Sequence, residues 1–212
     1  MAARSRIPEP VVERLCRYHR CLARLERQGI SNISSQELAV IAGATAEQVR
    51  KDLSYFGAFG RRGVGYDVSR LREEIQRIIG VEKPRRIVII GAGHLGSALA
   101  GYVGFEGRGF EIVGIYDNNP ARIGHMVQGL RVRNIDRLAE DNEAEKIDIA
   151  ILAVPEGAAQ KVAELVVQAG IHAILNFAPR TLRLPPNVLV RDVDMTAELE
   201  FLSFWLSRME NA

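Results

Sequence analysis

Near the middle of the chain, Arg86-Ile87-Val88-Ile89-Ile90 runs into Gly91-Ala92-Gly93-His94-Leu95-Gly96. A short β-branched run breaking into Gly-x-Gly-x-x-Gly suits one task, the cradling of a pyrophosphate by backbone. Gly91 permits the tight turn out of the strand, Gly93 lets the phosphates approach the main chain, and Gly96 lets the next helix pack against the strand. Ala92, His94 and Leu95 complete the turn, and Ser97–Ala100 continues it as a helix whose positive end favours phosphate. The following apolar run, Glu111–Tyr116, ends in Asp117, 21 residues beyond Gly96. A carboxylate there accepts hydrogen bonds from an adenosine ribose and repels a 2′-phosphate, which favours NADH and NAD+ over their phosphorylated forms. The alternative, a ligand-free turn of an α/β domain, leaves the position of the acid unexplained.

A second group of residues suits a polyanion. Ser34-Ser35-Gln36-Glu37 and Thr45-Ala46-Glu47-Gln48 are capping boxes, a hydroxyl followed three residues later by Glu or Gln. They open two short helices, the first burying Leu38 and Ile41, joined by a turn containing Gly43. This is the helix-turn-helix pattern. In the second helix Val49, Leu53 and Phe56 fall on an inward face, leaving Glu47, Arg50, Lys51, Ser54 and Tyr55 opposite. Lys and Arg reach base edges, and Ser and Tyr reach phosphate oxygens. From Gly57 to Tyr66, four glycines surround Arg61-Arg62. That composition predicts a slim β-hairpin wing, with Gly60, Arg61, Arg62 and Gly63 at its tip in or beside the minor groove. Charge agrees: residues 1–86 hold 17 Lys and Arg against 10 Asp and Glu, while residues 87–212 hold 11 against 16. Ordinary solvated helix faces would account for the charge but not for the wing.

Around these two groups the elements read as follows. Pro8 and Pro10 open a helix with Val11, Leu15, Tyr18 or His19, Leu22 and Leu25 inward. Arg14, Arg17, Arg20, Arg24 and Arg27 lie outward, and Gly29 closes the helix. Asp67 or Ser69 caps a further helix with Leu71, Ile75, Ile78 and Ile79 inward, ending at Gly80. The organisation is α/β: a winged helix-turn-helix domain over residues 1–80, a linker over 81–86, a Rossmann-type domain over 87–193 and a C-terminal helix over 194–212. After Asp117 the pattern predicts a strand at Arg131–Arg133 and a short helix over Ile135–Asn142. A buried strand from Asp148 to Pro155, a helix at Gly157–Gln168 with Val162, Leu165 and Val166 inward, and strands at His172–Phe177 and Asn187–Val193 follow. Ligands of open α/β sheets lie beyond the carboxyl ends of the strands. Val154, Pro155, Asn176, Phe177 and Ala178 are therefore candidates to face the nicotinamide half, with simple loop packing the competing reading for each.

The string Gln48-Val49-Arg50-Lys51-Asp52-Leu53-Ser54-Tyr55-Phe56-Gly57, followed by the glycine-arginine stretch, resembles the Rex family of redox-sensing transcriptional repressors. Gly91–Gly96 and Leu175-Asn176-Phe177-Ala178-Pro179 fit the same family, and the resemblance spans nearly the whole chain. It implies a homodimer that binds palindromic operator DNA, with Gln48 joining the recognition face, and that lets go when NADH is bound. It also implies that the last helix is swapped onto the partner subunit, that Tyr102 and Asp194 take part in the redox switch, and that Arg20 pairs with Asp194 of the partner subunit. The chain departs from the family pattern after Asp117, where Asn118-Asn119-Pro120 stands in place of a second acid. Asn119 still offers the ribose a hydrogen bond, without charge.

The last helix is apolar nearly all round. Met195, Leu199, Leu202, Leu206 and Met209 form one stripe, and Phe201, Phe204 and Trp205 line other faces. Such a helix has to be covered on two sides, which predicts an obligate dimer. No run is apolar enough to span a membrane, and the first residues lead into no signal-peptide core. Cys16 and Cys21 form no metal-ligand pattern with the four histidines, so a reduced, cytoplasmic setting without metal is expected. The competing function is a small NAD-dependent dehydrogenase. It needs a proton donor beside the nicotinamide and a substrate domain, and the sequence offers neither. No catalytic residue is therefore assigned.

Overall fold

In the computed structural model, which describes residues 7–60, 64–105 and 107–210, the chain divides into two units, Met1–Lys83 and Pro84–Ala212. In the first unit, Pro8 precedes α1 (Glu9–Arg27), which fits the missing N–H and fixed φ of proline at a helix start. A two-residue strand, β1 (Asn32–Ile33), leads into α2 (Ser35–Ala42) and α3 (Ala46–Ser54). Both capping boxes form: Ser34 and Glu37 exchange bonds of 2.8 and 3.2 Å, and Thr45 and Gln48 bonds of 2.8 and 3.1 Å. Strand β2 (Tyr66–Asp67) precedes α4 (Val68–Ile78), and the N-cap falls to Asp67, whose carboxylate accepts the Arg70 N–H.

The core of this unit joins Val11, Leu15, Tyr18 and Leu22 of α1 to Leu38, Val49, Leu53, Leu71 and Ile75. Tyr18 takes the inward position and His19 is only half-buried. Two expectations are corrected here. The ladder partner of β2 is β1, with Ile33 opposite Tyr66, not the segment from Gly57 to Gly60. The return strand of the wing thus closes on the segment before α2, because Ile33 and Tyr66 both bury into the helical core. The wing tip itself, Arg61, Arg62 and Gly63, lies outside the described residues. Arg14, read as outward-facing, is half-buried beneath α3.

The second unit is a seven-stranded sheet in the order β5-β6-β4-β3-β7-β8-β9. Its elements in chain order are β3 (Arg85–Ile90), α5 (His94–Ala100), β4 (Phe110–Asp117), β5 (Met126–Val127), β6 (Leu130–Asn134), α6 (Leu138–Glu145), β7 (Ile149–Leu152), α7 (Glu156–Gln168), β8 (Ala173–Asn176), β9 (Leu189–Asp192) and α8 (Met195–Glu210). All neighbours are parallel except β5 and β6, a small antiparallel hairpin at one edge. Residues 81–86, expected as a linker, belong partly to each side: Val81 is buried at the end of α4, and Arg85 and Arg86 already pair in β3.

β3 is central, and the burial of Ile87, Val88, Ile89 and Ile90 explains why its sequence is continuously apolar. Ile87 and Ile89 face one layer with Ile115, Val132 and Ile151; Val88 and Ile90 face the other with Tyr116, Leu138, Ala163 and Val166. At about 1.5–3 kcal/mol for each buried aliphatic side chain, this strand anchors the unit. In α7 the inward residues are Ala159, Ala163 and Val166, with Val162 and Leu165 only partly covered.

The chain leaves β3 toward β4 on one side and returns to β7 on the other, so two βα turns meet at the carboxyl end of the sheet. Gly91, at φ +106°, has no room for a side chain beside the Ala153 carbonyl, and a Cβ on Gly96 would overlap the Gly91 carbonyl oxygen. Close contact of this kind is backbone against backbone, with no flexible side chain to give way. Gly96→Ala is therefore expected to cost about 3 kcal/mol or more, measured as a lowered thermal midpoint of the full chain by circular dichroism. An unchanged midpoint would mean that α5 sits farther from β3.

Candidate functional site

β4 ends at the glycine turn. The Gly91 N–H donates to the Tyr116 carbonyl at 2.7 Å, and the Ala92 N–H donates to Asp117 Oδ2 at 2.8 Å. Asp117 is only 5% exposed. Its Oδ1 accepts the Asn119 N–H at 2.8 Å, and its Oδ2 also accepts Arg122 Nη1 at 3.1 Å. Burial pushes the Asp117 pKa up. The Asn119 and Ala92 amides, with the Arg122 guanidinium, outweigh that and hold the carboxyl below its ordinary value. The acid is thus ionised at neutral pH and already binds the turn that it was expected to complement.

The other residues expected at a dinucleotide site lie as follows. Gly91, Ala92 and Gly96 are buried, Gly93 is half-buried, and His94 and Leu95 are exposed. Val154 is half-buried after β7, and Pro155 caps α7 in the open. After β8, Phe177 packs half-buried on the face of Ile89, and Ala178 is buried. Tyr102, just past α5, is 53% exposed and meets Phe105 edge-on at 5.1 Å.

Asn176 and Asn119 each carry bonds internal to the fold. Asn176 is fully buried: its amide N–H groups donate to the carbonyls of Ala178 and Arg180 and to Asp192, while its oxygen accepts the Ala178 N–H. A side chain so occupied shapes the loop after β8. The Asn119 oxygen accepts the Ala121 N–H at 3.0 Å, an Asx turn that carries the chain to Arg122. Arg122 is the residue that sequence reading missed. Its one signal is position, five residues after Asp117 behind the Asn-Pro turn.

In the first unit α3 presents Arg50, Lys51, Ser54 and Tyr55 to the exterior. Lys51 extends without a fold-internal task among the bonds described. Arg50 donates to Ser35 Oγ at 3.0 Å and Ser54 donates to the Lys51 carbonyl at 2.7 Å. Gln48 is exposed, with its oxygen engaged in the capping box. Gly60 packs beneath the Tyr66 ring. On the opposite side of α3, Asp52 is 2% exposed and accepts Arg14 Nε at 2.6 Å, Arg14 Nη2 at 2.8 Å and the Tyr18 hydroxyl at 2.8 Å. Burial, then the bond to Asp52, pushes the Tyr18 hydroxyl pKa up and keeps it protonated. Two side chains of α1 thus fix the rotation of α3 about its axis. Arg20, farther along α1, is exposed.

Asp194 caps α8, accepting the Thr196 and Ala197 N–H groups on Oδ1. Every residue of α8 described is exposed, Leu199, Leu202, Trp205 and Leu206 each by more than half. Among the described residues no group of three or more His, Cys, Asp and Glu is placed to hold a metal, and no helix is long and apolar enough to cross a membrane.

Comparison with known proteins covers both units. Residues 6–54 match the family model described as "Putative DNA-binding protein N-terminus", and residues 82–180 match "CoA binding domain". The chain is 47% identical to the "Redox-sensing transcriptional repressor Rex" of Carboxydothermus hydrogenoformans, over 96% of this chain and 98% of that one. It is similar to the crystal structure of RSP in complex with β-NAD+ and operator DNA, with 39% identity and a TM-score of 0.91, covering 98% of this chain and 95% of that one. RSP in complex with β-NADH gives 38% identity and a TM-score of 0.86, covering 98% and 97%.

The clamp under α3 has a measurable weight. Asp52→Ala leaves Arg14 buried without its counter-ion, at an expected cost of about 3 kcal/mol or more. The double variant Arg14→Met/Asp52→Leu removes both charges and should lose less. Thermal midpoints of the full chain decide between them, and equal losses would show that the ion pair is not what holds α3.

Proposed function

The chain belongs to the Rex family of redox-sensing transcriptional repressors, and we propose that it binds operator DNA as a homodimer and releases it when NADH occupies the turn after β3. The observation that carries this reading is the pairing of an outward cationic helix, α3, with a glycine turn closed by an ionised Asp117, in a chain similar over 98% of its length to RSP bound to operator DNA and β-NAD+. The curated relatives that it matches over nearly its whole length are redox-sensing transcriptional repressors. In this reading Lys51, Arg50, Gln48, Ser54 and Tyr55 meet the major groove and its phosphates, and Gly60, Arg61, Arg62 and Gly63 supply the contact in or beside the minor groove. Gly91–Gly96 receive the pyrophosphate, Asp117 the adenosine ribose, and Val154, Pro155, Phe177, Ala178 and Tyr102 lie toward the nicotinamide. The fit with a dinucleotide rests on the space above Gly93, where a Cβ would meet, among the described residues, Arg122 Nη1 alone, at 3.8 Å.

The two oxidation states share their adenosine and pyrophosphate, so those contacts cannot select between two conformations. A ligand shifts an equilibrium only through unequal affinity for its states. The selecting group is therefore the ring, a planar cation when oxidised and neutral and puckered when reduced. The exposed apolar surface of α8, with Leu199, Leu202, Trp205 and Leu206, is the natural cover for a second copy, and Asp194 at its start stands ready for Arg20 of that copy. A cytoplasmic location accompanies this role. By reciprocity, operator DNA weakens NADH binding by the factor by which NADH weakens DNA binding.

Mobility shifts on palindromic operator DNA should show release by NADH and retention with NAD+. Lys51→Ala should lose about 1–3 kcal/mol of operator affinity if it contacts a base. Gly93→Val should keep its fold, because Gly93 has φ −77° and open space, yet bind neither oxidation state. Asp117→Ala should narrow the preference for NADH over NADPH, read by calorimetry. Operator binding that ignores NADH in the wild-type chain would overturn the reading.

A further inference from the structure

Arg122 has no place in the function described so far, yet its guanidinium stands between the two halves of the proposed dinucleotide site. Nη1 lies 3.1 Å from Asp117 Oδ2, on the ribose side. The same atom is the one described atom within 4 Å of a Cβ built on Gly93, on the pyrophosphate side. Its backbone is held by Asn119, whose carbonyl accepts the Arg122 and Ile123 N–H groups at 2.9 and 3.2 Å. The side chain, in contrast, is 49% exposed. The backbone is fixed while the guanidinium is open to exchange partners.

A carboxylate offers about four acceptor positions. Asp117 already gives three, to the Asn119 N–H, the Ala92 N–H and Arg122. A ribose diol brings two more hydroxyl donors, so one donor has to leave. The two amides cannot withdraw without dismantling the turn, and Arg122 can. We propose that Arg122 is a two-position cation: counter-ion of Asp117 in the empty site and counter-ion of the pyrophosphate in the filled one. The assignment rests on the dinucleotide reading above. Displacement from one anion is offset by bonding to another within the reach of one side chain, and the empty site never exposes an uncompensated carboxylate.

The distinguishing probes are adenosine, which carries the diol without phosphate, and ADP-ribose, which carries both. In the full-length variant Arg122→Gln, ADP-ribose should bind about tenfold or more weakly, since a charge-assisted contact is lost. Adenosine should bind unchanged or more tightly, since its rival for Asp117 has gone. Arg122→Lys, retaining charge without the planar fork, should fall between wild type and Arg122→Gln for ADP-ribose. Calorimetry for ADP-ribose and NMR titration for adenosine give the two affinities, with circular dichroism confirming an unchanged fold. Tightening of both ligands would make Arg122 a competitor alone; weakening of both would make it a support for Asp117; no change in either would leave it without a role. Each of these overturns the two-position assignment. A wild-type chain that binds neither NADH nor ADP-ribose would instead overturn the dinucleotide reading, and this assignment with it.

Discussion

The carboxylate of Asp117 takes donors from the turn after β3, from the chain just beyond β4 and from a side chain five residues on. It is one ionised group, nearly out of water, that reinforces the tie between the turn and the end of β4 made by the Gly91–Tyr116 bond. An unpaired charge so placed would cost far more than the unit's stability permits. The three donors are thus a condition for the acid to be there at all. The glycines make this possible, since side chains at Gly91 and Gly96 would push the turn out of reach. The shape of the glycine turn depends on that single charge.

The first unit solves a similar problem with Asp52. Both acids are buried and both meet an arginine, but the partners differ in exposure. The Arg14 side chain is 18% exposed and grips Asp52 through two nitrogens, whereas Arg122 is half in solvent and touches Asp117 through one. The first geometry is a fixed strut between two helices. The second is weak enough to be exchanged, because solvent screens it and one of the arginine's faces remains wet. A permanent ion pair sits under α3, and a replaceable one sits over the glycine turn.

Local chemistry made much of this visible from residues alone. Capping boxes at Ser34 and Thr45, the glycine turn and the acid at its fixed distance all act within a few residues or one βαβ unit, so spacing reveals them. The pairing of β1 with β2 was not visible, since two-residue strands carry no periodicity and their register is set by Ile33 and Tyr66 entering a common core. Asp52 and Arg14 are 38 residues apart, and on a helical wheel each looks like one more surface charge. Asn176 had two readings in the sequence, ligand-facing or loop packing, and its amide bonds show that it closes the loop after β8. Arg122 sits in a stretch with little periodic pattern, and only the fold brings it back over Gly93.

The sheet of the second unit ends on one side in β5, two residues long and turned antiparallel, and on the other in β9, four residues long and carrying Arg191 and Asp192. Short, reversed or charged edges are poor templates for another strand. Backbone pairing, which accepts almost any sequence, is thereby discouraged at both margins. What remains attractive on this unit is the side-chain relief of α8, where fit depends on the shapes of Phe201, Phe204, Trp205 and their neighbours. A cell crowded with foreign β-edges therefore meets a surface that discriminates by contour, and specific docking is separated from aggregation by the choice of which element is left uncovered.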